Sequence, residues 1–209
     1  MRTMPTNIGR SVAEAGAASG LGVAPARSGR WLALSWGGGR KPVRIERLSV
    51  EHSVDVEAPP DVVWREVTNV DLRAFPHPLV LSLLGIPRPL HAEIHRPGVG
   101  GARTAFFSNR HRFSQRITEW QPTERYAFTF EPDPGFRVAF LLDLSEGPLR
   151  LVGGTYRLDR TGAGTRLSLA SEVELHGLRG ACLRLPATLA LRLVQQRILM
   201  GIRANAERC

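Results

Sequence analysis

Val50, His52, Val54 and Val56 alternate with Glu51, Ser53, Asp55 and Glu57. A period of two puts one set on an interior and the other on water, so this stretch predicts a half-buried strand. Ala58-Pro59-Pro60-Asp61 follows. Proline suits the first turn of a helix and Asp61 suits its positive end, which predicts a helix through Val62, Val63, Glu66 and Val67. Trp64 is expected on its inner side. The run from Asn69 to Asp71 ends this helix, and Pro76, Pro78, Pro87 and Pro89 restrict residues 75–89 to short helical turns.

Four strands are expected next, near 90–96, 102–109, 112–120 and 124–131. Pro132-Asp133-Pro134-Gly135 is a strong turn. An apolar insertion, 136–148, closes on Ser145-Glu146-Gly147-Pro148. Two further strands, 150–159 and 165–175, flank Gly162-Ala163-Gly164. Pro186 then opens the longest helix, where Leu191, Val194, Ile198 and Ile202 recur at three- and four-residue steps and form a core-facing stripe. Arg192, Arg197 and Arg203 fall off that stripe and are expected in solvent. A strand, short helices, a run of antiparallel strands and a closing helix make an α+β layout.

The 209 residues support one domain and an extension, with 43% hydrophobic and 22% charged residues. The net charge of +9 suggests nucleic acid until it is located. Residues 1–47 carry eight basic groups against Glu14 and Glu46, whereas residues 48–209 carry twenty against seventeen acidic ones. The body therefore lacks the concentrated basic face that phosphate binding needs, and nucleic acid is excluded as a partner. Residues 1–47 have no sustained period and are expected to be a disordered basic extension, with the domain at 48–209. Sharper readings of the extension are a secretory signal cleaved at Ala24-Pro25-Ala26, an Arg-rich transit peptide, and weak membrane-surface contact through Trp31-Leu32-Ala33-Leu34-Ser35-Trp36. No segment reaches the ~20 apolar residues of a membrane span. Cys182 and Cys209 have no metal-ligand spacing, and a reducing, cytoplasmic location fits them.

From Leu48 onward the order of elements resembles the polyketide cyclase/dehydrase branch of the SRPBCC (START-like) superfamily. Residues 54–64 look like its opening strand and helix. Thr118-Glu119-Trp120, Pro122 and Glu124-Arg125 look like its central hairpin, and Gly153-Gly154-Thr155-Tyr156-Arg157-Leu158 with Gly164-Thr165-Arg166-Leu167 like its last. The resemblance implies a helix-grip fold, a curved antiparallel sheet wrapped around a long C-terminal helix with an internal cavity. The extension and the 136–148 insertion depart from the pattern. The insertion reads as a cavity lid or an added hairpin.

The resemblance implies a cavity but no catalytic set. Period-two geometry nominates its lining. Tyr126, Phe128 and Phe130 share a face, as do Thr118 and Trp120, Tyr156 and Leu158, and Leu167 and Leu169. The candidate ligand-binding set is Trp64, Thr118, Trp120, Tyr126, Phe128, Phe130, Tyr156 and Leu167, with the helix residues Leu191, Val194 and Ile198. An aromatic-lined cavity suits a lipid, a polyketide or another aromatic. Arg103, Arg116 and Arg157 would orient a carbonyl if they faced inward and would bridge to surface acids if they did not. His91, Glu93 and His95 share one face but lack further ligands, so no metal and no cofactor are expected. The expected function is non-catalytic binding of a small hydrophobic molecule. The alternatives are a cyclase or dehydratase acting on an aromatic polyketide-like substrate and a membrane-associated lipid or quinone chaperone.

Overall fold

The computed structural model describes residues 45–139 and 142–208. Most of the proposed extension, including the cleavage site and the tryptophan patch, lies outside the described residues, as does Cys209. The chain forms β1 (Ile45–Val56), α1 (Pro60–Thr68), α2 (Leu79–Leu83), β2 (Pro89–Arg96), β3 (Ala102–Phe107), β4 (Arg112–Gln121), β5 (Arg125–Pro132), β6 (Arg137–Val138), β7 (Leu142–Asp143), β8 (Leu149–Thr161), β9 (Gly164–His176), α3 (Gly177–Cys182) and α4 (Arg184–Ala206). β1 thus takes in Ile45, Glu46 and Arg47, which pair with His176, Leu175 and Glu174 of β9.

Seven strands make one antiparallel sheet in the order β1-β9-β8-β5-β4-β3-β2, and β6 pairs only with β7. The sheet's inner face is the apolar phase of each strand. It carries Val50 and Val56 on β1, Phe113 and Ile117 on β4, Tyr126 and Phe128 on β5, and Leu167, Leu169 and Val173 on β9, all buried. Long β8–β9 pairing from Leu149↔Leu175 to Thr161↔Gly164 leaves only Gly162 and Ala163 to make the turn.

Together α1 and α4 cover the inner face. In α1, Pro60 occupies the first turn and Val63 and Val67 are fully buried. The helix α4 begins two residues before Pro186, which sits in the first turn where no intrahelical N–H is required. The C-terminal half of α4 packs solidly. Leu199, Ile202 and Ala206 join Val63, Val67, Leu72, Ile117, Tyr126, Leu158 and Leu167 in one core. Gly201 permits close approach, because a Cβ there would lie 2.2 Å from Leu72 Cδ2.

The expectation that Arg197 reaches solvent is corrected by the structure. Its guanidinium is buried and donates to four backbone carbonyls, from Nε to Pro76 (3.1 Å), Nη1 to Pro89 (3.0 Å), and Nη2 to Leu72 (3.2 Å) and Phe75 (3.1 Å). The reason lies in the proline-rich 72–89 segment. It packs against α4 and, with prolines at 76, 78, 87 and 89, lacks the N–H donors and regular ladder that would satisfy its own carbonyls. Arg197 supplies those donors. Arg192 is exposed, and Arg203 is half-buried and pairs with Glu207 (2.9 Å).

The 136–148 insertion is the small β6–β7 hairpin. Phe136 and Leu144 anchor it in a second core with Phe113, Leu149, Val173, Leu175 and Ala187. Ala139 N–H donates to the Gly85 carbonyl (3.1 Å), which joins the hairpin to the loop after α2. Among the described residues no helix is long and apolar enough to cross a membrane.

Candidate functional site

Between the two cores the N-terminal half of α4 stands off the sheet and leaves a cavity of about 290 Å³. The helix contributes Ala187, Leu191, Val194 and Ile198, at the same three- and four-residue steps that make its apolar stripe. The sheet contributes residues of six strands, β2, β3, β4, β5, β8 and β9, among them His91, Ala105, Phe113, Phe128, Tyr156 and Leu169. The hairpin adds Phe136, Val138 and Leu142, and the segment after α2 adds Leu84, Ile86 and Pro87. The insertion therefore supplies part of the wall.

The cavity exists because small residues and offset rings keep the opposing faces apart. Gly154 faces inward, and a Cβ there would lie 2.8 Å from the Phe128 ring. Phe128 can therefore lie flat along β8, with its centroid 5.2 Å from Phe130 and 6.1 Å from Tyr156. At the other end, Phe113 packs against Phe136 (4.4 Å) and Phe107 (4.7 Å). Ring spacings in this range are favourable offset or edge contacts.

Six of the eleven candidate ligand-binding residues line this cavity: Phe128, Phe130, Tyr156, Leu191, Val194 and Ile198. Trp64, Trp120, Tyr126 and Leu167 are instead placed in the solid core under α1, with Trp64 and Trp120 edge-to-face at 5.1 Å. Thr118 lies on the outer face and is exposed. A β-bulge separates it from Trp120, since Ile117 pairs with Phe128 while Glu119 already pairs with Ala127. The extra residue breaks the period of two, so Thr118 and Trp120 do not share a face.

Polar groups in the wall are few. Arg103 on β3 points inward and is only 3% exposed. Its Nη2 donates to the Val67 carbonyl (3.2 Å) and Nη1 reaches Gln115 Oε1 at 3.5 Å, while Nε has no partner. No carboxylate of the described residues pairs with it. The guanidinium lies over the rings of Tyr126 (5.5 Å) and Phe128 (5.7 Å). Burial pushes the Tyr126 and Tyr156 phenols upward in pKa, an effect that the nearby Arg103 charge partly opposes. Both phenols therefore stay neutral at physiological pH. Across the cavity, Gln195 Nε2 donates to the Val50 carbonyl (2.8 Å) and Ser171 Oγ (3.0 Å), and its buried Oε1 has no partner.

Gln115, Gln195 and Ser171 were not legible as site residues, because isolated polar residues in an apolar phase carry no periodic signal. Arg103 was legible only as one of three candidate arginines. Arg116 is exposed, and Arg157 is on the outer face with Glu51 at 3.3 Å. His91 Nε2 meets Glu93 at 3.2 Å and its ring stacks on Phe106 at 4.6 Å, while His95 bonds Thr104 at 2.9 Å. Among the described residues no group of three or more potential ligands is placed to hold a metal.

A family model described as polyketide cyclase/dehydrase and lipid transport matches residues 47–207. No curated protein sequence matches the chain. Among solved structures, Ara h 8.0201 is 15% identical, with 78% of this chain and 100% of that chain covered, at a TM-score of 0.51. Protein MLL2253 from Mesorhizobium loti is 16% identical, with coverages of 77% and 98% and a TM-score of 0.48. At these identities the likeness to Ara h 8.0201 concerns the fold alone.

Proposed function

The chain belongs to the polyketide cyclase/dehydrase and lipid transport family, and we propose that it holds a small hydrophobic molecule in the cavity beneath α4. The observation that carries this reading is the 290 Å³ space itself, walled by aliphatic and aromatic side chains from the sheet, the hairpin and α4. Protein interiors are close-packed, and an unfilled apolar space of this size forfeits dispersion contacts that tighter packing would recover. A fold that keeps such a space open gains if a ligand restores those contacts. At interior packing density the space holds a molecule of about ten to fifteen non-hydrogen atoms.

The cyclase or dehydratase alternative needs a group that takes a proton from carbon during condensation or elimination. Among the described residues the wall holds no carboxylate, its phenol Tyr156 is neutral, Arg103 is a fixed cation, and its one imidazole, His91, has Nε2 engaged by Glu93 at 3.2 Å. That composition favours retention of a ligand over its conversion. Contact with a membrane surface through the extension belongs to residues outside the described ones, and nothing in the cavity depends on it.

A neutral fluorescent dye such as 1-aminoanthracene tests the reading. It should bind with 1:1 stoichiometry. Val194→Trp, which places an indole in the cavity, should weaken binding at least ten-fold, with the circular dichroism spectrum retained. Unchanged affinity in a folded Val194→Trp variant would place the dye elsewhere and remove the support for a ligand cavity.

A further inference from the structure

Arg103 is the one fixed charge in the cavity wall, and among the described residues it has no counter-ion. Of the guanidinium's five N–H donors, one meets the Val67 carbonyl at 3.2 Å and one reaches Gln115 at the long distance of 3.5 Å. Nε has none. The aromatic faces of Tyr126 and Phe128 soften the charge but neutralise none of it. An uncompensated buried cation is among the least favourable features a core can carry. It is tolerated where something else completes it. An arginine fork also matches a carboxylate in geometry, donating two parallel bonds where an ammonium would offer one point charge.

We propose that the molecule held in this cavity is an amphiphile carrying a single carboxylate, with its anionic head against Arg103 and its apolar body running towards Phe113, Phe136 and Leu144. This rests on the ligand-holding reading above and names the chemical class. Arg103 is the one fixed cation in the wall, because the imidazole of His91, which also lines it, already meets Glu93 at 3.2 Å; one fixed cation matches one negative charge. The neutral hydroxyl of Tyr156 stands at the same end, where it accepts from Arg103 and has its own proton to donate to a carboxylate oxygen. The opposite end is purely hydrocarbon, built by Phe113, Phe136, Leu144 and Leu149. An alcohol or ester of the same length would fill the hydrocarbon end equally well and leave the cation as it stands. The charge therefore sets specificity, while the hydrocarbon wall supplies affinity common to both. Decanoate, with about a dozen non-hydrogen atoms, is of a size the space accommodates.

Isothermal titration of the full chain with decanoate and with 1-decanol, at equal ionic strength, tests the assignment. Decanoate should bind at least ten-fold more tightly than 1-decanol. Arg103→Met should abolish that preference and leave the 1-decanol affinity within about three-fold. Equal affinities in the parent protein would overturn the proposal. If 1-aminoanthracene binds and decanoate does not displace it, the carboxylate assignment fails while the cavity reading stands. If neither the dye nor either decyl compound binds, the cavity reading itself fails. Should Arg103→Met not fold, nuclear Overhauser contacts in the parent protein decide the matter. The decanoate C2 protons should contact the Phe128 or Tyr156 ring and the terminal methyl the Phe113 or Phe136 ring. The reverse orientation, or contacts only outside the cavity, would overturn the assignment.

Discussion

Two arginines of this chain share a chemistry and differ in purpose, and single residues show why. Arg197 is buried but fully engaged, with four carbonyls around its guanidinium at 3.0–3.2 Å. Burial lowers its pKa and the Arg88 charge adds to that effect, yet an arginine still stays charged. Its removal would strand those carbonyls of the 72–89 segment, so Arg197→Ala should cost about 3–5 kcal/mol in urea unfolding. A loss below about 1 kcal/mol would mean that the segment satisfies its carbonyls without α4. Sequence reasoning gave the opposite expectation for this side chain. The helical stripe ranks residues by the apolar sheet they face, and it cannot register the carbonyls of a proline-rich segment packed beside that stripe. Gly154 offers a second residue-scale test. Its Cβ position lies 2.8 Å from Phe128, so Gly154→Ala should destabilise by about 1–3 kcal/mol and change ligand affinity through the displaced ring. A neutral effect on both would show that Phe128 has room to move.

At the scale of elements, α4 does two jobs along one stripe. Its C-terminal half is core, with Leu199 fully buried, and its N-terminal half is wall, with Leu191 and Val194 half-buried against open space. Leu199→Ala should therefore cost about 3–5 kcal/mol, and Leu191→Ala clearly less, since it only enlarges a space already present. Equal losses would mean that the N-terminal half packs as tightly as the rest. The segment just before α2 carries its own titration. Burial lowers the pKa of His77, and Arg197 and Arg88 nearby oppose its charging, while its Nε2 holds the Ile86 carbonyl at 3.0 Å. A histidine whose folded pKa lies below its unfolded value binds more protons when unfolded. Its contribution is complete above about pH 6.5 and is lost as pH falls from there through the folded pKa. Stability should decline on acidification through that window, and His77→Gln should flatten the decline. An unchanged slope in the variant would assign the acid sensitivity to other groups.

Strand alternation made β1, β5, β8 and β9 legible because each has one apolar phase. The β4 bulge was not legible. Its extra residue leaves no mark in composition, so a period of two puts Thr118 and Trp120 on one face where the structure puts them on opposite faces. The four candidates in the solid core, Trp64, Trp120, Tyr126 and Leu167, share another reason. Periodicity distinguishes the inner face from the outer face, but not solid core from cavity wall, which depends on how far α4 stands from the sheet. Tyr126 and Phe128 illustrate this, because they share a face of β5 and only Phe128 reaches the open space.

For the whole molecule, the described residues close their own sheet, hairpin and helix. β1 begins at Ile45, paired with His176, so the natural cut falls before Ile45. A chain lacking residues 1–44 should unfold cooperatively, with a melting temperature close to that of the full chain. A broad or absent transition would show that the earlier residues belong to the fold's stability. The central claim is that the space between α4 and the sheet is a ligand site, and chemical-shift mapping on the full chain tests it most directly. Titration with decanoate should saturate at one equivalent, with the largest changes at Ala105, Phe113, Phe128, Tyr156, Leu191 and Val194. Saturation with those signals unmoved, and changes confined to exposed residues, would contradict it.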